Sequence, residues 1–112
     1  MIVKEFTDYV DKDTTIDSAT GNGTSDPINI GKRRYDGTPY TIQIYDESSA
    51  VGTIQGVLSK DGDQTSQADG STKWQDMTNG DISGDGLFHL YAPVTWIRIK
   101  LTAGTCKADI QY

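Results

Sequence analysis

From Leu87 to Tyr112 the chain reads LFHLYAPVTWIRIKLTAGTCKADIQY, alternating apolar and polar residues with breaks at Ala92-Pro93 and Ala103-Gly104. Period two is the signature of a strand with one buried face, because successive side chains point to opposite sides of the pleat. A helix needs apolar residues at i, i+3, i+4 and i+7. No window of the chain offers that spacing free of glycine and β-branched clusters. The same alternation recurs upstream, so strands are the material from which this chain is built.

The expected strands are Ile2–Tyr9, Ile28–Ile30, Tyr40–Tyr45, Val51–Ser59, a short piece around Trp74–Met77, Leu87–Tyr91, Val94–Thr102 and Thr105–Gln111. Gly, Asp, Asn, Ser and Pro separate them, as turn chemistry requires. Seven or eight short strands in 112 residues predict one all-β domain, an antiparallel β-sandwich with jelly-roll-like wiring. Residues 1–35 read as an N-terminal strand and an extended arm. Residues 36–112 read as the sandwich core. The arm is polar: Asp11 to Asp26 holds Ile16 as its only large apolar residue. Such an arm lies over its own surface or gains order on another chain. A second polar stretch, Lys60 to Lys73, has one apolar residue in fourteen and reads as a long loop.

Alternation also assigns faces. Ile42 and Ile44 share a face with Tyr40, and Ile97, Ile99 and Leu101 point one way while Trp96, Arg98 and Lys100 point the other. A Trp beside two cations on an outer face fits cation–π stacking, or packing against a neighbouring chain. Cys106, the single cysteine, shares a face with Ala108, Ile110 and Tyr112 and reads as a buried, inert thiol.

Charge excludes several functions. The net charge is −6, and fourteen of the sixteen acidic residues are Asp. Nucleic-acid binding needs a basic face, and an anionic membrane surface would repel this chain. The one basic cluster is Lys32-Arg33-Arg34, either a solvated loop or a contact to an acidic partner. There is no apolar signal-peptide core, and no run nears the ~18 apolar residues of a membrane span, so synthesis in a cytoplasm is expected.

Candidate chemistry is sparse. Asp61-Gly62-Asp63 and Asp81 to Gly86 gather carboxylates suited to Ca²⁺, but neither has EF-hand spacing, and Asp-Gly is first of all a hairpin-turn signal. The one His, His89, alternates away from Phe88 and Leu90, toward solvent or an interface, and no nucleophile elbow accompanies it. No catalytic residue, cofactor or metal is expected. A carbohydrate site is the better small-ligand hypothesis, with Trp74, Trp96, Tyr91, Asp76 and Asn79 to supply it, although Trp74 would serve equally as a core plug.

From Gly56 onward the sequence carries Leu58-Ser59-Lys60-Asp61-Gly62, Trp74-Gln75-Asp76-Met77, Ser83-Gly84-Asp85-Gly86, Tyr91-Ala92-Pro93, Trp96-Ile97-Arg98-Ile99 and Thr102-Ala103-Gly104. This succession resembles small β-sandwich structural proteins of tailed bacteriophage virions: capsid decoration (cement) proteins, head fibres and tail appendages. The resemblance covers about half the chain and implies a virion component, not an enzyme. The expectation is a capsid decoration protein, a homotrimer that bridges capsid subunits and partners the major capsid protein or other virion proteins. Phe6, Tyr9, Lys32, Arg33, Arg34, Trp96 and Arg98 are the expected interface residues. The alternative is a carbohydrate-binding module of a tail fibre or appendage.

Overall fold

A computed structural model describes residues 3–7, 15–19, 23–30, 39–57, 74–90 and 94–112. Within these the chain is all strand: β1 (Val3–Phe6), β2 (Ile16–Asp17), β3 (Ile28–Asn29), β4 (Tyr40–Val57), β5 (Gln75–Ser83), β6 (Gly86–Leu90) and β7 (Trp96–Gln111). All pairings are antiparallel and belong to one sheet. The two long strands, β4 and β7, pair with each other from Thr41↔Gln111 to Val57↔Trp96. The free edge of β7 carries β1, β2, the Thr24 bridge and β3 in succession. The free edge of β4 carries β6 and then β5.

Such a sheet cannot be flat. At about 3.3 Å per residue an 18-residue strand would reach roughly 56 Å, whereas the longest dimension of the molecule is 36 Å. The sheet therefore folds over, and the fold line is visible in the backbone. Asp46 and Ser49 in β4, Gly104 in β7, Gly84 between β5 and β6, and Gly23 after β2 all have positive φ. These positions are neighbours across the sheet: Ser48 pairs with Thr105, Val51 with Ser83, and Ser18 N–H donates to the Gly104 carbonyl at 3.1 Å. Gly104 is required where it stands, since a Cβ there would overlap the carbonyl oxygens of Ser48 and Ser49. The β4–β7 register shifts at the same place, between Tyr45 and Gly52, as expected where bulges bend a ladder.

Among the described residues, folding produces two four-stranded layers. One holds β1, the end of β7, the start of β4, and β6. The other holds β3, the start of β7, the end of β4, and β5. Their inner faces form a single buried cluster, with Phe6, Ile42, Ile44, Ala108 and Ile110 from one layer and Ile54, Ile82, Ile97, Ile99 and Leu101 from the other. Among the described residues ten of the buried side chains are isoleucine, whose β-branch is stiff and packs well on a pleated surface. Ile16 and Cys106, paired beside the fold line, are fully enclosed. Burial of the Cys106 thiol, with the carboxylates of Glu47 and Asp85 adding to it, pushes its pKa up to about 12.

The outcome corrects two expectations and decides between the two readings of the arm. The polar stretches Asp46–Ala50 and Ala103–Gly104 are not gaps between strands but the corners of continuous ones. The Asp85-Gly86 turn does not make a hairpin, since β5 and β6 both pair with β4 and not with each other. The described parts of the N-terminal arm lie along this chain's own β7, because that edge offers it a ladder: Ile99 N–H donates to Ser25 Oγ at 2.9 Å, and Leu101 N–H to the Gly23 carbonyl at 2.9 Å. The arm also sews the two layers together on that side, where Thr7 Oγ1 donates to Asp26 Oδ2 at 3.0 Å and Asp26 N–H donates to the Thr7 carbonyl at 2.8 Å.

Candidate functional site

On the opposite side, β5 and β6 are the two edges of the folded sheet. Between Thr53 and Gln55 of β4 the chain advances two residues, while between Asp81 and Asp76 of β5 it advances five. Three extra residues arch away from the ladder there, and Asn79 within the arch has φ of 64°. The arch opens a cavity of about 430 Å³ lined by Gly56, Gln75, Asp76, Met77, Thr78, Asn79, His89, Leu90 and Val94. Its floor is the apolar edge of the core: Met77 and Val94 pack on the buried cluster, and Tyr40 Oη donates to Met77 Sδ at 3.6 Å. Burial raises the Tyr40 pKa well above the ordinary phenol value. Gly56 lies under the floor, where an added Cβ would come within 2.9 Å of Val94.

The rim is polar and partly fixed. His89 Nδ1 lies 2.9 Å from Thr41 Oγ1, its cross-strand neighbour. Asp76 stands at the end of a row that crosses three strands on the outer face of its layer. Arg98 Nε donates to Gln55 Oε1 at 2.9 Å, and Gln55 Nε2 donates to Asp76 Oδ1 at 2.8 Å. The Arg98 guanidinium stacks on the Trp74 ring at 4.2 Å from its centroid. Enclosure makes the cation harder to hold, and the Arg98 pKa falls to about 10. The Trp74 Nε1–H is buried and, among the described residues, has no acceptor.

The expected interface residues are scattered. Tyr9, Lys32, Arg33 and Arg34 lie outside the described residues, as does Tyr91 of the expected sugar site. Phe6 is wholly enclosed in the chain's own core, since its position opposite Ala108 turns it inward. Arg98 does point to the outer face as alternation requires, yet it is only 8% exposed because Trp74 covers it. Its aromatic partner is thus Trp74, not Trp96. Trp74 lies on the outer face and is no core plug. Trp96 is half-buried, opposite Val57. Of the carbohydrate candidates, Asp76 and Asn79 meet on the cavity rim. Gln55, Gln75, Met77, Leu90 and Val94 were not anticipated. Two signals pointed to them: Gly56 inside a strand, which marks close backbone approach, and the Asn79-Gly80 dipeptide, which marks a turn or bulge.

Among the described residues no three His, Cys, Asp or Glu side chains converge as metal ligands. Asp85, in the Asp81 to Gly86 stretch weighed above for Ca²⁺, accepts a hydrogen bond from Glu47 N–H at 3.2 Å, and Asp61 and Asp63 lie outside the described residues. No protein-family model matches this chain, and neither a curated protein nor a solved structure is similar enough to match it.

Proposed function

We propose that this protein is a structural component of a tailed-phage virion: a capsid decoration protein that bridges capsid subunits as a homotrimer and has the major capsid protein as its partner. Support comes from how the chain spends its apolar residues. The described residues form one buried cluster, and exposed apolar side chains remain on the outer faces, Val3 at 64% and Leu87 at 63% among them. Those two flank a shallow groove with Thr41, Gln43 and Asp109 on the β1–β7–β4–β6 layer. Strand-built faces of mixed polarity suit a protein that acts by covering a surface. Binding the assembled shell in preference to its parts would stabilise the shell by mass action. Light scattering at micromolar concentration tests the oligomer, with an expected mass of three times 12.2 kDa. Co-sedimentation with expanded phage heads tests the partner. A monomer that stays in the supernatant would sink the proposal.

A second reading is a carbohydrate-binding module of a tail fibre or appendage. The observation favouring it is that Asp76 and Asn79 share the rim of one cavity with an apolar floor.

A further inference from the structure

We infer that the cavity between β5 and β6 binds a single neutral sugar residue of a glycan, with the Asp76 carboxylate as its anchoring acceptor. This rests on the carbohydrate-binding reading and supplies its site and ligand class.

Size, lining and order agree. A cavity of about 430 Å³ sits at the small end of ligand sites, so it takes one ring and not a chain of them. Met77, Leu90 and Val94 offer an apolar floor to the C–H face of a ring. The rim mixes an acceptor-only carboxylate at Asp76, a donor-and-acceptor carboxamide at Asn79 and the imidazole of His89. Sugar hydroxyls both donate and accept, and this mixture serves them. An anionic ligand would meet the Asp76 charge. A cationic ligand would find no second carboxylate among the described residues of the lining and would leave the carboxamide donors unused.

The polar groups are also set in advance. Arg98 holds Gln55, Gln55 holds Asp76 Oδ1, and the stack on Trp74 holds Arg98, which leaves Oδ2 of Asp76 for a ligand hydroxyl. Thr41 fixes the His89 ring through Nδ1 and leaves Nε2. Asn79 is kept in the left-handed region by the arch, the kind of local strain that persists where surrounding structure imposes it and that clusters at binding sites. Groups fixed before the ligand arrives cost less entropy on binding.

Two variants remove ligand contacts without removing structure. Asp76→Asn keeps an oxygen that accepts from Gln55 Nε2, and Asn79→Gly places the residue best suited to φ of 64°. The probes are the methyl glycosides of glucose, galactose and N-acetylglucosamine, titrated by saturation-transfer NMR, and an immobilised array of bacterial surface glycans. The expected result is binding of at least one probe, weakened about tenfold or more in both variants, with unchanged melting for Asp76→Asn and unchanged or raised melting for Asn79→Gly. Binding that both variants retain within twofold would overturn this site and leave the carbohydrate-binding reading standing. Silence from every glycoside and from the array would overturn both.

Discussion

Three glycines separate the two causes that the fold line combines. Gly84 has φ of 98° and open space: the nearest atom to an added Cβ is Glu47 Oε1 at 4.0 Å. Gly52 is not among the positive-φ residues, but its Cβ would overlap the Lys100 carbonyl and lie 2.8 Å from the Leu101 Cα. Gly104 has both problems, with φ of 72° and rigid carbonyls of Ser48 and Ser49 in the way. Left-handed backbone costs a non-glycine residue about 1–2 kcal/mol, crowding a packed site about 1–3 kcal/mol, and the stiffer unfolded chain returns about 0.4–1 kcal/mol. Gly84→Ala should therefore lose about 1 kcal/mol, Gly52→Ala about 1–2 kcal/mol, and Gly104→Ala about 2–4 kcal/mol. At roughly 4–6 °C per kcal/mol for a domain of this size, Gly104→Ala should melt about 10–20 °C lower. Urea unfolding followed by the fluorescence of Trp74 and Trp96 measures all three. If Gly104→Ala costs no more than Gly84→Ala, the two carbonyls do not abut Gly104 and the folded-sheet account of the corner is wrong.

Cys106 gives a pH test. Its folded pKa, about 12, lies above the ordinary value of 9.0. The neutral thiol therefore contributes stability that is fully present below pH 9 and is lost as pH rises through 12. Wild type should lose about 2–3 kcal/mol more than Cys106→Ala between pH 8 and 11; parallel curves would mean the thiol is not enclosed. At pH 8 the native thiol should also resist an aromatic disulfide reagent, reacting only on unfolding. Trp74→Phe keeps a ring under Arg98 and deletes an enclosed N–H that has no acceptor among the described residues, so it should change stability by less than about 1 kcal/mol. Trp74→Ala should cost about 3 kcal/mol or more because it uncovers the stack, and near-equal losses for the two would show that the indole N–H has a partner.

Much of the layer structure was legible because one-sided burial enforces alternation. Ile42 and Ile44, Ile97, Ile99 and Leu101, and Cys106, Ala108 and Ile110 all lie inward as their spacing requires. What alternation cannot carry is tertiary cover. Arg98 reads as outward and is outward, but nothing local announces that Trp74, from a segment more than twenty residues away, will lie over it. Strand continuity through Asp46–Ala50 was hidden for a related reason. The polar, positive-φ residues of a corner look like a loop until the neighbouring strands bend beside them. The cavity was hidden most of all, since it depends on three extra residues in one strand relative to another and only Asn79-Gly80 marks them.

That arch has a second consequence, and it can be tested by removing it. An edge strand with regular, unpaired backbone groups is a template for another strand, and a bulge is one way to blunt it. Deleting Thr78, Asn79 and Gly80 would set Met77 opposite Ile54 and restore a two-against-two count between Gln55–Asp76 and Thr53–Asp81. Parity is kept: Met77 already packs on the core that Ile54 belongs to. The deletion should therefore fold, lose its cavity and its sugar binding, and gain a flat edge beside the uncharged β6 edge, Gly86 to Leu90. The expected reading is a concentration-dependent rise in mass by light scattering, with a circular dichroism spectrum still that of a sheet. A deletion variant that folds and keeps the wild-type mass up to several hundred micromolar would show that the arch does not guard the edge, leaving it with ligand binding as its only role.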